Sequence, residues 1–590
     1  MSKKDLQQLQ IISDRMIEAG ISKEEVEKLI GPLKGELQRR VCGLVWEHKT
    51  TSIPDMEGKI PSLIPVADKN IVQDIGGDNH VLIEGENLLA LMAMQYTHID
   101  ENGKGMIDVI YIDPPYNTGS VSFAYNDKFE KSEWLSMMDI RLKLARNLLK
   151  DDGVIFISID DTYLYHLKLL VDDVFGADNM VVNITVNRPS EIATSISVQK
   201  TEYCMVYAKS KVTFTKREKE TTKFVVSRGT VGNENQTQPV ITFPAGLRCY
   251  GIADGIYTET RKITGSKENI YNLDPIEVEN GVLKNPVRMK ARWRSSNDMR
   301  NFFANNCRPT PAKISGTIVE IYFDSDKFNP QIKKASSEKL LSIFTDNKKG
   351  SLEVEKCGVS FSFPKHTVLI KTLLKQANIA KDAVIFDFFA GSGTTGHAVL
   401  DLNKEDGGHR QFILCTNNEL GKEAQKTAKK NGYAAGSAEY EDLGVCHAVT
   451  YPRMQNIFPD YPGNNLYYYR VDQDITESTI DDVTLANMAS QAVFYIAMKE
   501  NIFNAEKHKD YQLLYNENTD IIVVTDPDMD IFDVEEEIVS SEFHPADRET
   551  KVYCSVYSPC SRYGVEYIPY PKEVLDVLRA AKKYIRREVA

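Results

Sequence analysis

The sequence predicts an α/β protein with an open, mostly parallel sheet covered by helices on both faces and broken once by an inserted domain of different character. Three observations carry this expectation. Short apolar runs alternate with amphipathic ones between about 80 and 175, the rhythm of strand and helix in a parallel sheet. The same rhythm resumes at about 367. Between the two, from about 211 to 350, it is lost, and the sign of the charge changes with it.

At 590 residues the chain exceeds what one hydrophobic core supports, so several domains are expected. Residues 1 to about 50 read as helices: Leu6, Leu9, Ile12 and Met16 recur at helical spacing, and Ser22-Lys23-Glu24-Glu25 resembles a capping box. A connector rich in proline and aspartate, about 52–77, completes an N-terminal extension of 1–77. A strand at 80–83, a helix at 87–96 and a buried strand at 106–112 follow. A helix at 132–149, a strand at 153–159, a helix at 163–175 and a strand at 203–209 complete a first half-core, 78–210. The insert is 211–350. A helix at 367–378, a strand at 383–388, a glycine loop at 390–396 opening a helix, and a strand at 411–416 form the second half-core, 351–455. From 456 to 590 the chain turns acidic and rich in tyrosine, which reads as a C-terminal domain without identifiable chemistry.

The net charge of -13 argues at first against a polyanionic partner. Its distribution reverses that. Residues 188–350 hold 27 Lys and Arg against 17 Asp and Glu, whereas 471–590 hold 24 acidic against 12 basic residues. A basic segment in an acidic chain is what a phosphate-binding surface needs, although a solvated lysine-rich face has the same composition. No apolar stretch approaches the ~18 residues that span a bilayer. The start, Met1-Ser2-Lys3-Lys4-Asp5, lacks the apolar core of a secretory leader. The nine cysteines are scattered without a CxxC pair, which argues against a disulfide framework or a metal site. A cytoplasmic protein without membrane contact is expected.

The first motif that carries chemistry is Asp113-Pro114-Pro115-Tyr116, at the carboxyl end of a buried strand, the edge where ligands bind in open α/β sheets. It could be no more than a proline-rich turn. Two prolines, however, remove backbone donors and stiffen the loop, leaving a rigidly presented carboxylate, carbonyl and ring. An amino group conjugated to an aromatic ring is a poor nucleophile because its lone pair is delocalised. Acceptors on its two hydrogens free that lone pair, and the Asp113 carboxylate and Pro114 carbonyl suit the task, with Tyr116 to stack on the ring.

The second is Asp387-Phe388-Phe389-Ala390-Gly391-Ser392-Gly393-Thr394-Thr395-Gly396. Its GxGxxG suggests a dinucleotide, but that match is weak. Asp387 and Phe389 stand immediately before the glycines, where a carboxylate repels a pyrophosphate and attracts an ammonium such as that of a methionine moiety. Gly391 and Gly393 let the backbone approach a ligand, Thr394 opens the helix, and Glu419 ends the next strand where it can accept two ribose hydroxyls. S-adenosylmethionine is therefore favoured over NAD.

Together the two motifs resemble the amino-methyltransferases of DNA. The order (catalytic tetrapeptide, basic insert, cofactor loop) is that of the β group. More narrowly, the chain resembles the modification (Mod) subunits of Type III restriction-modification systems, through IEGENLLAL, YIDPPYNTG, SEWLSMMDIRLKLARNLLKDDGVIFISIDD, DFFAGSGTTGHAVLDLN and RQFILCTNNE. The resemblance is strong over about 80–210 and 360–460 and weak in the flanks. It implies a Rossmann-like S-adenosylmethionine-dependent methyltransferase core with an inserted target-recognition domain and helical or mixed terminal extensions. It implies transfer to N6 of an adenine flipped out of double-stranded DNA, a homodimer, and a separate ATP-dependent restriction subunit. In the family an acid before the catalytic strand approaches the cofactor adenine, and Glu86 holds that place. The helix before the cofactor loop usually begins Lys-Pro, whereas this chain has Lys365-His366.

Within the insert, Arg288, Lys290, Arg292 and Arg294 flank Trp293 and would share one face of a strand, with Asn233, Asn235, Gln236 and Gln238 as further base-edge readers. A 5-methylcytosine enzyme needs a Pro-Cys nucleophile, and Pro559-Cys560 lies far from both motifs. A combined methyltransferase-nuclease needs more than Pro54-Asp55-Met56-Glu57-Gly58-Lys59, whose spacing is too tight for a nuclease site. A solitary methyltransferase without a restriction partner has the same motifs and stays open. No GxxxxGK[ST] loop is present.

Overall fold

The computed structural model describes residues 59–116, 130–193, 198–216, 223–231, 235–258, 261–262, 269–313, 316–325, 327–336, 339–345, 348–476, 481–526, 548–554, 565–570 and 572–589, with scattered positions from 12 to 26. It divides into two compact units, one of 1–217, 341–374 and 379–590, the other of 218–340 with 375–378.

Ten strands form the main sheet of the first unit. They are β1 (Lys59–Pro65), β2 (Asp78–Glu84), β3 (Ile107–Ile112), β4 (Leu149–Ile159), β5 (Met180–Ala193), β6 (Val198–Ala208), β7 (Ile343–Thr345), β8 (Val384–Asp387), β9 (Gln411–Thr416) and β10 (Asn464–Thr476). Their order is β1-β10-β2-β9-β8-β3-β4-β6-β5-β7. From β10 to β4 every neighbour is parallel, so the carboxyl ends of β2, β9, β8 and β3 lie side by side at one edge. β6 runs against both β4 and β5. β3, IDVIYI, is buried at all six positions, as a central strand covered on both faces must be. Helix α1 (Asn87–Thr97) is buried along Leu88–Thr97 because it is sandwiched: the helix Asp481–Glu500 packs on it, with the Tyr96 and Tyr495 rings 6.4 Å apart. Helix α2 (Lys131–Leu148) ends where β4 begins.

Two expectations about domain limits need correction. Lys59–Pro65 falls in what reads as a connector, yet it is a strand. Its two prolines suit the sheet edge, where it pairs with β10 alone. Asn464–Thr476 reads as the start of a separate acidic domain, yet it lies inside the main sheet between β1 and β2. Its LYYY run is buried from Leu466 to Tyr469, and the acidic residues that mask this strand come after it. The C-terminal five-stranded sheet and the helix Lys572–Val589 belong to the same unit, and Tyr495, Tyr553, Tyr570 and Leu578 join the main apolar core. Strand β5 had no expectation attached to it. The N-terminal helices lie largely outside the described residues, but Ser22 and Glu25 do form the reciprocal capping bonds.

The second unit comprises small antiparallel sheets around Phe243, Trp293, Phe323 and Phe328. Its strand Val287–Ala291 alternates strictly, with Val287, Met289 and Ala291 buried and Arg288 and Lys290 exposed. Among the described residues no helix is long and apolar enough to cross a membrane.

Candidate active site

Asp113, Pro114, Pro115 and Tyr116 leave the carboxyl end of β3 directly, so a fully buried strand fixes the loop's origin. Trp134, buried on α2, donates its indole N–H to the Pro115 carbonyl at 2.8 Å and clamps the tetrapeptide from below. The Tyr116 hydroxyl donates to Asp113 Oδ1 at 2.7 Å. Burial, reinforced by the Asp113 and Glu202 carboxylates, keeps Tyr116 a neutral phenol. Asn117, Thr118 and Gly119 lie outside the described residues.

Two residues join this loop that the motifs did not name. Lys365 Nζ stands 3.1 Å from Asp113 Oδ2, 3.2 Å from Glu202 Oε2 and 2.8 Å from the Tyr116 hydroxyl oxygen, with the ammonium 5.1 Å from the Tyr116 ring centre. Burial alone would lower the Lys365 ammonium, but the Asp113 and Glu202 carboxylates outweigh it and hold it above its ordinary value. Glu202 stands on β6, 9% exposed. The proline that follows this lysine in the family is replaced by His366, whose Nδ1 accepts the Val368 N–H and so caps helix α3 (Thr367–Gln376). Lys365 was visible in the sequence. Glu202 had only the weak signal of an acid opening an apolar strand run, TEYCMVYA.

The glycine loop leaves the neighbouring strand β8. Gly391 and Gly393 have φ of 51° and 75°, the left-handed region open to glycine, and Gly393 starts helix α4 (Thr394–Asp406). A Cβ on Gly393 would stand 3.0 Å from Met454 Cε, so packing also demands the glycine. Asp387 is 2% exposed. Its Oδ1 accepts the Phe389 N–H at 3.0 Å and its Oδ2 the Thr395 hydroxyl at 2.5 Å. Burial nevertheless dominates, and with the Asp113 charge nearby it pushes the Asp387 carboxyl up to about 7. The Phe389 ring is half-buried against the core.

Thr394 is buried and its hydroxyl donates to the Lys365 carbonyl at 3.2 Å, which ties the glycine loop to the lysine beside Asp113. Arg453, wholly buried, donates to the Ser392 carbonyl and to Thr394 Oγ1, and pairs with Glu353. Glu353 in turn accepts the Thr367 N–H at the start of α3. Neither Arg453 nor Glu353 carried a sequence signal.

Glu86 is the N-cap of α1: Oε1 accepts the Leu88 N–H and also the guanidinium of buried Arg141. Arg141 also holds Asn87, whose amide donates to the Phe388 carbonyl at 2.9 Å. The Gly85-Glu86-Asn87 turn is thereby fastened to the glycine loop. Glu419, half-buried, follows β9 at the same sheet edge, with Asn417 Nδ2 3.4 Å from its Oε2. The structure thus gathers Glu86, Asp113, Asp387 and Glu419 along one edge of adjacent parallel strands.

The basic residues Arg288, Lys290, Arg292 and Arg294 belong to the second unit. Arg288 pairs with Asp274 at 2.7 Å, Arg292 is half-buried, and Arg294 Nε donates to the Arg228 carbonyl. Gln236 is bound to the Trp293 carbonyl at 2.6 Å, and Asn233 lies outside the described residues.

Comparison with known proteins places the chain in a family. The chain is 32% identical over 419 residues to the StyLTI Mod subunit of a Type III restriction-modification enzyme from Salmonella typhimurium, covering 64% of this chain and 58% of that protein. It is 27% identical over 475 residues to the EcoP15I Mod subunit of Escherichia coli, covering 70% and 69%. It is 29% identical over 407 residues to the Type II methyltransferase M.KpnI of Klebsiella pneumoniae, covering 64% of this chain and 88% of that one. The first of these is therefore matched over less than two thirds of its length. A family model described as DNA methylase matches residues 107–430, more than half of the chain and the stretch that holds both motifs; the chain belongs to the DNA methylase family.

Proposed function

We propose that the chain is a site-specific DNA adenine-N6 methyltransferase that uses S-adenosylmethionine and acts as the modification subunit of a Type III restriction-modification system. The observation that carries this reading is the adjacency of the Asp113 loop and the Asp387–Thr394 loop on neighbouring parallel strands. The residues present fit that cofactor by the chemistry of the donor set. A buried acid only partly ionised near neutrality, Asp387, gains charge when an ammonium arrives, Phe389 offers an aromatic wall, and Glu419 and Glu86 offer acceptors to hydroxyl and amino groups. When bound, S-adenosylmethionine supplies an electrophilic methyl group on sulfonium sulfur.

This chain's residues act on the other reactant. Asp113 accepts an N6 hydrogen of the flipped adenine, localising the nitrogen lone pair, while the Pro114 carbonyl accepts the second and the Tyr116 ring stacks on the base. Trp134 and Lys365 keep that loop from relaxing. Sequence recognition is assigned to the insert, with Arg288, Lys290, Arg292 and Arg294 facing the DNA, and assembly to a homodimer that partners a restriction subunit. Similarity to the Mod subunits supports this assignment. The coverage of M.KpnI supports a second reading, a methyltransferase acting without a restriction subunit.

The test is transfer of labelled methyl to duplex DNA followed by nucleoside analysis. N6-methyladenine is expected, and methylcytosine in its place overturns the proposal. Asp113→Ala should abolish transfer and still bind S-adenosylmethionine in a calorimeter. The neighbouring genes decide between the two readings of the assembly.

A further inference from the structure

We infer that Glu202 is a positioning residue that receives the Tyr116 hydroxyl when the target amino group reaches Asp113, an inference that rests on the catalytic reading of Asp113. In the structure Asp113 is already engaged on both oxygens, by the Tyr116 hydroxyl at Oδ1 and by Lys365 at Oδ2. Each oxygen keeps a second lone pair, but the amino group meets a more electron-rich acceptor if one of these donors turns elsewhere. Tyr116 has a single hydroxyl proton, and Glu202 Oε2 stands 3.3 Å from the same oxygen. Rotation of the hydroxyl alone, with the ring left in place, moves that proton from Asp113 to Glu202.

Three features make Glu202 fit to receive it. It stands on β6 opposite Val186 of β5, next to Tyr203 where the ladder with β4 ends, so its backbone is held. It is nearly buried, so water does not compete for it. Lys365 lies within 3.2 Å of both carboxylates and 2.8 Å from the phenol oxygen, so the cation stays paired wherever the hydroxyl points. The cluster thus has two hydrogen-bond states of equal charge, and Glu202 provides the second.

The experiment is a double-mutant cycle on the full chain, read as single-turnover methyl transfer at saturating DNA and S-adenosylmethionine. Glu202→Gln replaces the carboxylate by a weaker acceptor and leaves Asp113 as the sole anionic partner of both donors. The transfer rate should fall about ten- to a hundredfold, the value of one charge-assisted hydrogen bond, with cofactor affinity unchanged. In a Tyr116→Phe background, where no hydroxyl has to be received, the same change should alter the rate less than about threefold. Glu202→Asp keeps the charge and withdraws it by one methylene; it should give the same pattern, and it decides the matter if the Gln variant does not fold. Equal loss in both backgrounds, or no loss in either, overturns the role of Glu202. Retained transfer by Asp113→Ala would instead overturn the catalytic reading beneath it.

Discussion

Asp387→Asn separates what the buried acid does for the ligand from what it does to the fold. The carboxyl is held at about 7 against an ordinary 3.8, which at 1.36 kcal/mol per pH unit places about 4 kcal/mol on its ionised form. The folded chain binds this proton more tightly than the unfolded chain does. The residue is therefore harmless below about pH 4, and it destabilises progressively as the pH rises through the interval to about 7. Asparagine can keep its oxygen toward the Phe389 N–H and donate from its amide to the Thr395 hydroxyl oxygen, which reverses the direction of that bond. The variant should gain about 2 kcal/mol over the parent at pH 8 beyond any difference at pH 5.5, measured by urea unfolding at both values. It should also bind S-adenosylmethionine more weakly. In the parent, ligand binding near pH 6.5 should release protons, since an arriving ammonium ionises the acid, and calorimetry in buffers of different ionisation enthalpy measures them. A stability difference that does not depend on pH, together with unchanged affinity, would refute the reasoning.

Three further outcomes are expected. Gly393→Ala combines a φ of 75° with a Cβ 3.0 Å from Met454 Cε, so it should cost about 1–2 kcal/mol in thermal unfolding and weaken cofactor binding; a neutral result removes the packing argument. Trp134→Phe leaves the Pro115 carbonyl without the indole donor, which should slow transfer with cofactor affinity unchanged; altered cofactor affinity would place the indole's role elsewhere. If Lys290, exposed on Val287–Ala291, contacts phosphate, Lys290→Ala weakens binding to all DNA sequences alike and lowers the salt slope by about one, whereas a changed methylation motif would make it a base reader.

The core was legible because its signals are local. IDVIYI is apolar or aromatic at every position but Asp108, as a covered strand is, and GSGTTG can be read without knowing its neighbours. The alternation of Arg288 and Lys290 with buried Val287 and Met289 is likewise a property of five consecutive residues. Lys365, Glu202 and Arg453 are different in kind. Each acquires its role from partners far along the chain: Lys365 lies 249 residues from Tyr116, and Arg453 lies 100 from Glu353. A cation or an acid in an otherwise ordinary strand or helix carries no local mark of such a partner. The same holds for β10, whose place in the sheet is decided by β1 and β2, and for Glu86, where helix capping and the bond to Arg141 add to the expected ligand role.

The interleaved strand order sets a timetable for the ribosome. β1 pairs with β10 alone, and β2 lies between β9 and β10, so the first two strands made wait for some of the last. At about 5–20 residues per second, roughly 20–80 seconds pass between synthesis of residue 84 and of residue 476. β2 has two open edges until residue 416 is made and one until β10 follows, and through the whole interval the apolar α1 has no cover from the helix Asp481–Glu500. A nascent chain interrupted before 464 should therefore be a client for chaperones and a ready partner for other unfinished copies of itself, whereas one interrupted after 526 has its main sheet closed.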